Sequence, residues 1–305
     1  MSGVQAALGP LFLLILLGAL LGWRRLPADT FWPAMERLIY FLLFPAMLVS
    51  TLATADVSRV PIAQVATVLL GGIAAFAALL WWIKPRLGLD APAFTSVFQG
   101  ALRFNTYVGV AGAAALHGQP GATVAAVAVA LMVPTINVLC VASFIAAGTL
   151  GPSSLSKSLA ALTRNPLILA CVAGIVLNLS GIGLPGWSER AVSLLGRAAL
   201  PLGLVAVGVA LRPRALLRLD RGVWSANLVK LVLMPAVVLA LGALVGLDPV
   251  SRDVTLLFAA LPTATSAYIL ARQLGGDAEL MAALITGQTL LAMLSLPLWL
   301  SLAGG

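Results

Sequence analysis

Residues 5–23, QAALGPLFLLILLGALLGW, form an apolar run without a charged side chain. About 20 apolar residues in a row is the length that an α-helix needs to cross the hydrocarbon core of a bilayer. The whole chain has this character, because 61% of its 305 residues are hydrophobic and only 9% are charged. Soluble domains are about a quarter charged. The composition therefore excludes a soluble enzyme, a nucleic-acid-binding module and a disordered chain.

The rest of the chain divides into apolar segments of similar length, separated by short connections rich in arginine, proline and glycine. Windows of about 19 residues predict ten membrane-spanning helices. Their predicted bounds are 5–23, 31–54, 61–83, 93–117, 120–148, 160–182, 187–211, 223–246, 252–273 and 277–302. We therefore expect an all-α integral membrane protein that sits in the lipid bilayer and has no separate soluble domain.

Lysine and arginine are distributed unequally between the two sets of connections. The loops after predicted helices 1, 3, 5, 7 and 9 contain Arg24, Arg25, Lys84, Arg86, Lys157, Arg164, Arg212, Arg214, Arg218, Arg221 and Arg272. The opposite side carries Arg59, Arg190 and Arg252. Because positively charged loops stay in the cytoplasm, we expect a multi-pass protein of the cytoplasmic (inner) membrane with both termini outside. The net charge of +8 is explained by these loops, so no nucleic-acid partner is expected.

The two halves of the chain, 1–150 and 151–305, each contain five predicted helices and share landmark residues. A shift of 156 or 157 residues superimposes Pro10 on Pro166, Gly18 on Gly174, Pro45 on Pro201, Thr106 on Thr263 and Gly118 on Gly275. Because five is odd, the second half must enter the membrane from the opposite side. The pattern predicts two inverted five-helix repeats, an arrangement found in secondary transporters. Chance matching of proline and glycine in apolar sequence is the alternative.

Predicted helices 4 and 9 each carry a polar cluster in mid-segment, RFNTYVG at 103–109 and LPTATSAY at 261–268. In inverted-repeat transporters the substrate site lies where corresponding helices are broken. A break frees backbone groups that hydrocarbon does not satisfy, whereas asparagine, threonine and serine can bond to them. It also directs a helix N-terminus, with its partial positive charge, at the site. We therefore predict that helices 4 and 9 are broken, cross each other, and surround a site for an anion such as a carboxylate.

These two clusters, together with Gly275-Gly-Asp277, Asn165-Pro-Leu167 and Pro201-Leu-Gly203, resemble the auxin efflux carrier family of permeases over the whole chain. The resemblance implies a scaffold of helices 1, 2, 6 and 7, through which homodimers form, and a transport domain of helices 3–5 and 8–10. It implies a substrate site where helices 4 and 9 cross. Plant members export auxin, and bacterial relatives are linked to malonate or malate. One departure concerns predicted helix 4, where Val110-Ala-Gly112 stands in place of the family's proline.

The substrate-binding candidates share a position in the two clusters: Arg103, Asn105, Thr106, Tyr107, Pro262, Thr263, Thr265, Ser266 and Tyr268. Asn105 would hydrogen-bond the substrate, cap the broken helix, or do both. Arg103 would attract an anion or extend to the cytoplasmic interface. The hydroxyl side chains would contact substrate or bond back to their own helix. We assign the helix breaks to Gly109, Gly112 and Pro262.

Several polar residues outside these clusters have two readings. Thr135, Asn137, Gln288 and Thr289, in predicted helices 5 and 10, would line a cation site or join helices by hydrogen bonds. Lys230 is interpreted as an interfacial anchor or a member of a structural pair. His117, the single histidine, would lie at the outer interface or sense pH. The pairs Gly18/Gly22 and Gly242/Gly246 are spaced to permit close helix packing.

Absent features narrow the function further. The acidic residues lie in loops or near predicted helix ends, so no midplane carboxylate is available for proton antiport. Cys140 and Cys171 lie inside apolar runs, which favours neither a disulfide framework nor a metal site. We expect no enzyme and no cofactor, with Na⁺ or H⁺ coupling left open. The leading hypothesis is a permease that moves small organic anions by an elevator mechanism, exporting them by uniport. The alternative is a sodium-coupled organic anion symporter of the bile-acid type.

Overall fold

A computed structural model describes residues 2–28, 30–55, 59–149, 164–218 and 220–303, and all regular secondary structure in these ranges is helical. The bounds in chain order are α1 (Ser2–Trp23), α2 (Phe31–Thr54), α3 (Ile62–Leu87), α4 (Ala91–Leu102), α5 (Thr106–Ala146), α6 (Pro166–Leu179), α7 (Gly186–Val209), α8 (Arg221–Leu244), α9 (Pro249–Ala260), α10 (Ser266–Leu274) and α11 (Ala278–Ala303). A short 3-10 turn, Pro213–Leu217, lies before α8. Lys157 and the predicted start of helix 6 at 160 fall outside the described residues.

Seven segments of the described chain are long and apolar enough to cross a membrane: 3–23, 31–54, 62–87, 91–146, 186–209, 221–244 and 278–303. The shorter helix α6 is also apolar. The prediction of an all-helical, multi-pass membrane protein is therefore confirmed. The count of ten spans and their inverted repeat stay predictions.

Three aspartates mark the starts of helices and explain why the chain turns where it does. Asp90, Asp220 and Asp248 accept hydrogen bonds from the backbone N–H groups of Ala93, Val223 and Ser251, at 2.9, 3.0 and 3.0 Å. These contacts satisfy donors that have no partner within the first turn of a helix. The expectation that acidic residues lie at helix ends is confirmed for these three.

Prolines widen two of the long helices. Helix α2 contains a π-helical turn at Ile39–Leu43 just before Pro45, and α8 contains one at Val229–Leu233 just before Pro235. Proline lacks a backbone donor and crowds the carbonyl group four residues earlier. A π turn accommodates that clash without ending the helix. Both segments therefore remain continuous.

Gly109 and Gly112 do not break helix 4, and that prediction is wrong. Both lie buried within the helical part of α5, whereas α4 ends at Leu102 and α5 begins at Thr106. A Cβ atom on Gly109 would lie 2.7 Å from Leu261 Cδ1, and one on Gly112 would lie 3.0 Å from Leu257 Cδ2. The two glycines thus allow α5 to approach α9 and the residues that follow it. The backbone leaves the helical conformation instead at Gly118, with φ 60° and ψ −139°, values that glycine tolerates.

Helices α1 and α7 approach each other more closely than a side chain at the contact would permit. A Cβ atom on Gly208 would lie 1.9 Å from the carbonyl oxygen of Ile15, and one on Gly18 would lie 2.0 Å from that of Val205. Gly22 faces Val209 in the same interface. The predicted close packing at Gly18 and Gly22 is therefore confirmed. Gly246 instead ends α8 with a positive φ of 68°.

The helices form two groups that meet at the middle of the molecule. Helix α7 packs along α1 and α2, and α2 packs along α6. On the other side, α9 packs against α5, α8 and α11, while α4 packs against α8 and α11. The interruptions between α4 and α5 and between α9 and α10 lie in this second group and border the first.

Candidate functional site

The two helix interruptions meet directly. Residues 103–105 separate α4 from α5, and residues 261–265 separate α9 from α10. The backbone N–H of Asn105 donates to the carbonyl oxygen of Pro262 at 2.8 Å. Phe104 packs on Phe258 with the ring centroids 5.4 Å apart. A break in each segment, with the two breaks in contact, is thus a feature of the described structure.

Asn105 caps the second half of its segment. Its side-chain oxygen accepts from the backbone N–H groups of Tyr107 at 3.1 Å and Val108 at 3.3 Å. The side chain is 2% exposed. Its Nδ2 donates to no group in the part of the chain that the structure describes. The cap therefore uses the oxygen, and the amide nitrogen is left to bond an acceptor from the cavity beside it.

A cavity of about 190 Å³ lies at the crossing. It is bordered by residues of α2, α5 and α10, by Asn165 and Leu167 at the start of α6, and by both interruptions. The lining residues are Tyr40, Phe44, Arg103, Phe104, Asn105, Thr106, Tyr107, Val133, Ile136, Asn137, Asn165, Leu167, Ala264, Thr265 and Ser266. The volume suits a small molecule of a few heavy atoms, and the lining offers both apolar and polar contacts.

Arg103 is the one charged residue among those that line the cavity. Its Nη1 donates to Asn137 Oδ1 at 3.1 Å, and its Nη2 lies 3.4 Å from Ser266 Oγ. Neither partner is an acid, so the guanidinium charge is not neutralised by these contacts. An anion in the cavity would supply the missing counter-charge. Arg103 also joins the first interruption to α5 and to the start of α10.

Three helices begin at the cavity. Helix α5 starts after Asn105, α6 starts after Asn165, and α10 starts after Thr265, and all three of these residues line the cavity. Asn165 caps α6 as Asn105 caps α5, accepting from the N–H of Leu167 at 2.9 Å. Helix N-termini carry a partial positive charge and unpaired N–H donors. Together with Arg103 they give the cavity a positive character.

The structure places six of the nine predicted substrate-binding residues on the cavity wall: Arg103, Asn105, Thr106, Tyr107, Thr265 and Ser266. The other three lie elsewhere. Pro262 contributes its carbonyl oxygen to the crossing, and Thr263 is fully buried. Tyr268 points to Arg212, whose guanidinium carbon lies 4.5 Å from the tyrosine ring centroid. None of these three lines the cavity, and their assignment to the substrate site stays a prediction.

The part of the wall that comes from the first helix group was not predicted from the sequence. Tyr40 and Phe44 project from α2, and Asn165 and Leu167 from α6. The ring of Phe44 meets that of Tyr107 edge to face at 5.0 Å. The Asn-Pro pair at 165–166 repeats the capping chemistry of Asn105, and that repetition could have signalled a second cavity residue.

The four residues proposed for a cation site make separate contacts. The hydroxyl groups of Thr135 and Thr289 donate to carbonyl oxygens of their own helices at 2.8 and 2.7 Å. Asn137 receives its hydrogen bond from Arg103, and Gln288 bonds backbone groups through both amide atoms. These contacts favour the reading in which the four residues join helices.

Two ionisable residues in the membrane segments, His117 and Lys230, differ in whether an acidic side chain lies next to them. His117 Nε2 lies 3.0 Å from Asp253 Oδ2, which ties the end of predicted helix 4 to the start of α9. Lys230 is fully buried, and its amine contacts only the sulfur of Met234, at 3.7 Å. Among the described residues it has no acidic partner. The interpretation of Lys230 as an anchor or a paired residue is therefore wrong.

Comparisons with known proteins indicate a membrane transport protein. The family model described as "Membrane transport protein" matches residues 151–300. A protein of Rhizobium meliloti (strain 1021) named "Putative malonate transporter" is 34% identical over 130 residues, which are 42% of this chain and 41% of that protein. An "Uncharacterized transporter" of Methanothermobacter thermautotrophicus is 25% identical over 296 residues, 94% of each chain. The match to the first relative thus spans less than half of its length, and the match to the second spans nearly all of it.

Proposed function

We propose that this chain, whose residues 151–300 match the membrane transport protein family, is a secondary transporter of small organic anions. Carboxylates are the proposed substrates, and the malonate named for one relative is a first candidate. The transporter acts in the cytoplasmic membrane with both termini outside. Its full architecture comprises ten spans in two inverted repeats.

The positive character of the cavity supports an anionic substrate. Arg103 has amide and hydroxyl partners, three helix N-termini open on the same space, and the lining includes no acidic side chain. A carboxylate there would pair with the guanidinium group through charge-assisted hydrogen bonds. It would also accept from Asn105 Nδ2 and from the hydroxyl groups of Thr106 and Ser266. The apolar wall, with Val133 and Ile136, would contact the carbon skeleton.

The position of the cavity supports an elevator mechanism. One wall belongs to α2 and α6 in the first helix group, and the opposite wall belongs to α5 and the two interruptions. Sliding the second group along the first would carry the bound anion from one side of the membrane to the other. The scaffold then consists of α1, α2, α6 and α7 and also forms the homodimer contact. Rigid movement of one helix bundle against another is the usual route to alternating access.

The membrane potential alone can drive export by this route. Moving one negative charge outward across −100 mV releases about 2.3 kcal/mol. Uniport needs no coupling ion, and none of the residues that line the cavity is a carboxylate that would carry a proton with the substrate. The sodium-coupled symporter remains the alternative that a direct test separates from uniport.

The test is a current measurement on proteoliposomes attached to a solid-supported membrane, with a panel of mono- and dicarboxylates, in sodium and in potassium buffers. We expect a saturable current for at least one acid, equal in both buffers. Arg103→Gln should raise the half-saturating concentration about tenfold or more, because one charge-assisted contact is worth about 1.5–3 kcal/mol. Arg86→Gln, at the end of α3, serves as the matched control and should leave it unchanged.

Two outcomes would contradict the proposal. A current that appears only with sodium would favour the symporter. If all the acids fail to give a current or tracer uptake with folded protein, carboxylate transport is wrong.

A further inference from the structure

We propose that Gln288 is a positioning residue that holds the two helix interruptions at their crossing and thereby fixes the geometry of the cavity. The proposal rests on the proposed transport function, which it deepens. Gln288 lies on α11 and is fully buried. It does not line the cavity. Its influence on substrate must therefore act through the backbone groups that it binds.

The side chain bridges both interrupted segments. Its Oε1 accepts from the backbone N–H of Thr263 at 2.9 Å, and its Nε2 donates to the carbonyl oxygen of Gly100 at 3.0 Å. Thr263 lies in the interruption after α9, and Gly100 lies in the last turn of α4. One amide group thus joins residues that are 163 positions apart in the chain.

Both backbone groups lack a partner within their own helices. The last carbonyl groups of a helix have no N–H group four residues later to bond, and the N–H of Thr263 stands outside any helix. Leaving such a group unpaired in a buried site costs about 1–3 kcal/mol. Satisfying one donor and one acceptor at once requires a side chain that offers both. A glutamine amide does so without charge, whereas an ionised carboxylate only accepts.

The crossing sets the positions of the groups that face the cavity. Arg103 follows Gly100 by three residues, and Ser266 follows Thr263 by three, and these two side chains meet across the cavity at 3.4 Å. The backbone bond from Asn105 to Pro262 completes the junction. If Gln288 no longer joins the two segments, Arg103 and the N-terminus of α10 are free to separate. We then expect weaker substrate binding with the fold retained.

Charged residues lie on Gln288's own helix, on the elements that pack against that helix, and next to the crossing of the two interruptions. They are Arg103, Arg212, Arg214, Arg221, Lys230, Arg252, Asp253, Arg272 and Glu279. None of them hydrogen-bonds to Gln288, whose partners are the two backbone groups. A carboxyl group at this position would be surrounded by buried, mostly apolar neighbours. Burial raises the pKa of a carboxyl group, by up to about 3–5 units when it is complete.

The decisive variants are Gln288→Glu and Gln288→Met. For each variant, the initial rate of carboxylate uptake is divided by that of the wild type at the same pH, at several values between pH 5 and pH 9. A protonated glutamic acid can donate to Gly100 and accept from Thr263, but its ionised form repels the Gly100 carbonyl oxygen. The Gln288→Glu ratio should therefore be highest at pH 5 and should fall about tenfold or more by pH 9, as the raised pKa is passed. Gln288→Met should show a raised KM at every pH, and its uptake relative to the wild type should not change with pH.

Gln64→Glu is the matched control. The amide of Gln64 also donates to a backbone carbonyl, that of Val245 just after α8, at 3.0 Å, and neither residue lines the cavity. Its uptake ratio to the wild type should be flat between pH 5 and pH 9. A fall like that of Gln288→Glu would mean that any added carboxylate produces the effect, and it would overturn the assignment to Gln288.

The remaining outcomes are separable. If the wild type transports no carboxylate, the proposed function is overturned, and this inference, which rests on it, is overturned as well. With an active wild type, wild-type KM in Gln288→Met or a flat ratio in folded Gln288→Glu overturns the positioning role. If neither variant folds, hydrogen exchange on the wild type decides. The Thr263 amide should exchange about 100-fold more slowly than the amides of exposed turns, since its donor is buried and bonded, and fast exchange would overturn the proposal.

Discussion

At the residue scale, Asn105 shows how one side chain serves both the fold and the candidate site. Its oxygen caps α5, and its nitrogen has no acceptor among the described residues. Arg103, two residues earlier, supplies the charge. From the sequence, Asn105 was predicted to cap the broken helix, to bond the substrate, or to do both. The geometry makes the two roles compatible because they use different atoms of the same amide.

Asn105→Asp and Asn105→Ala separate these two roles. The aspartate keeps an oxygen for the cap and should retain the thermal stability of the wild type, but its negative charge should reduce anion transport at least about 100-fold. The alanine should lose transport and also about 1 kcal/mol of stability, because the cap is removed. Thermal denaturation in detergent and carboxylate uptake measure the two effects. Normal transport by either folded variant would remove Asn105 from the site.

Lys230 is a second case in which a single residue affects the free energy of unfolding. A buried amine without an acidic partner is costly within a membrane protein. Lys230→Met keeps the side-chain length and removes the polar group. We expect its melting temperature to rise by several degrees, corresponding to about 1–3 kcal/mol.

Lys84→Met is the control for that prediction, since Lys84 lies at the end of α3 with its amine 4.6 Å from the centroid of Trp81. Its melting temperature should stay level or fall slightly, since the change removes cation–π contacts of the amine with Trp81 and Phe94 that are worth about 0.5–1 kcal/mol at an exposed site. A lower melting temperature for Lys230→Met would contradict the prediction, and would mean that the amine has a stabilising partner.

At the element scale, backbone proximity determines which helices pack. Helices α1 and α7 come together at Gly18 and Gly208, where no side chain would fit. Helix α5 also meets α9 at Gly109 and Gly112, where the atoms nearest to an added Cβ belong to side chains, among them those of Phe258 and Leu257. Small residues allow such approach in membranes, where van der Waals packing replaces the hydrophobic effect as the force between helices.

Gly208→Ala tests the α1–α7 contact. The added Cβ atom would meet the carbonyl oxygen of Ile15 at 1.9 Å, and backbone atoms cannot move aside as a flexible side chain would. We expect a loss of about 3 kcal/mol or more, seen as a much lower melting temperature. Gly9→Ala in α1 is the control, because nothing lies within 4 Å of its Cβ position. It should be neutral or slightly stabilising. Equal melting temperatures for the two variants would refute the contact.

At the scale of the whole molecule, an ion pair links the loop before α8 to the start of α11. Arg218 donates to both oxygens of Asp277, at 3.1 and 2.8 Å, and also bonds Asp220. Burial alone would raise the pKa of Asp277, but the hydrogen bonds from Arg218 and from the backbone of Leu280 outweigh it, so the pKa lies below its usual range. A lowered pKa in the folded state contributes stability above the unfolded value, and that stability is lost as the pH falls.

Asp277→Asn should remove this contribution and keep the helix cap. At pH 7 we expect a loss of about 0.5–1 kcal/mol, or about 1–2 °C, since the pair is partly exposed and screened. The wild type should lose this contribution as the pH falls from about 5 to below the lowered folded-state pKa of Asp277, whereas the variant should lose less. Melting temperatures at several pH values measure both. Asp248→Asn, which changes a capping aspartate that has no ion pair in the described chain, is the control.

The sequence by itself determined the membrane class, the positions of most helices and the two interrupted segments. These features depend on local quantities: hydrophobicity summed over about 20 neighbouring residues, a cap within three residues, and a proline beside a polar cluster. Six of nine predicted cavity residues also belong to this category, because they lie in the two interruptions or in the first two residues of the helices that follow them.

The tertiary structure alone decided which distant residues complete the site. Tyr40 and Asn165 reach the cavity from the other helix group, Gln288 joins the two interruptions, and Thr263 turns away from the cavity. Gly109 and Gly112 prove to be packing positions and not breaks. The physical reason is that these roles depend on contacts between segments far apart in sequence. Such contacts follow from how whole helices pack, which no local pattern of residue types records.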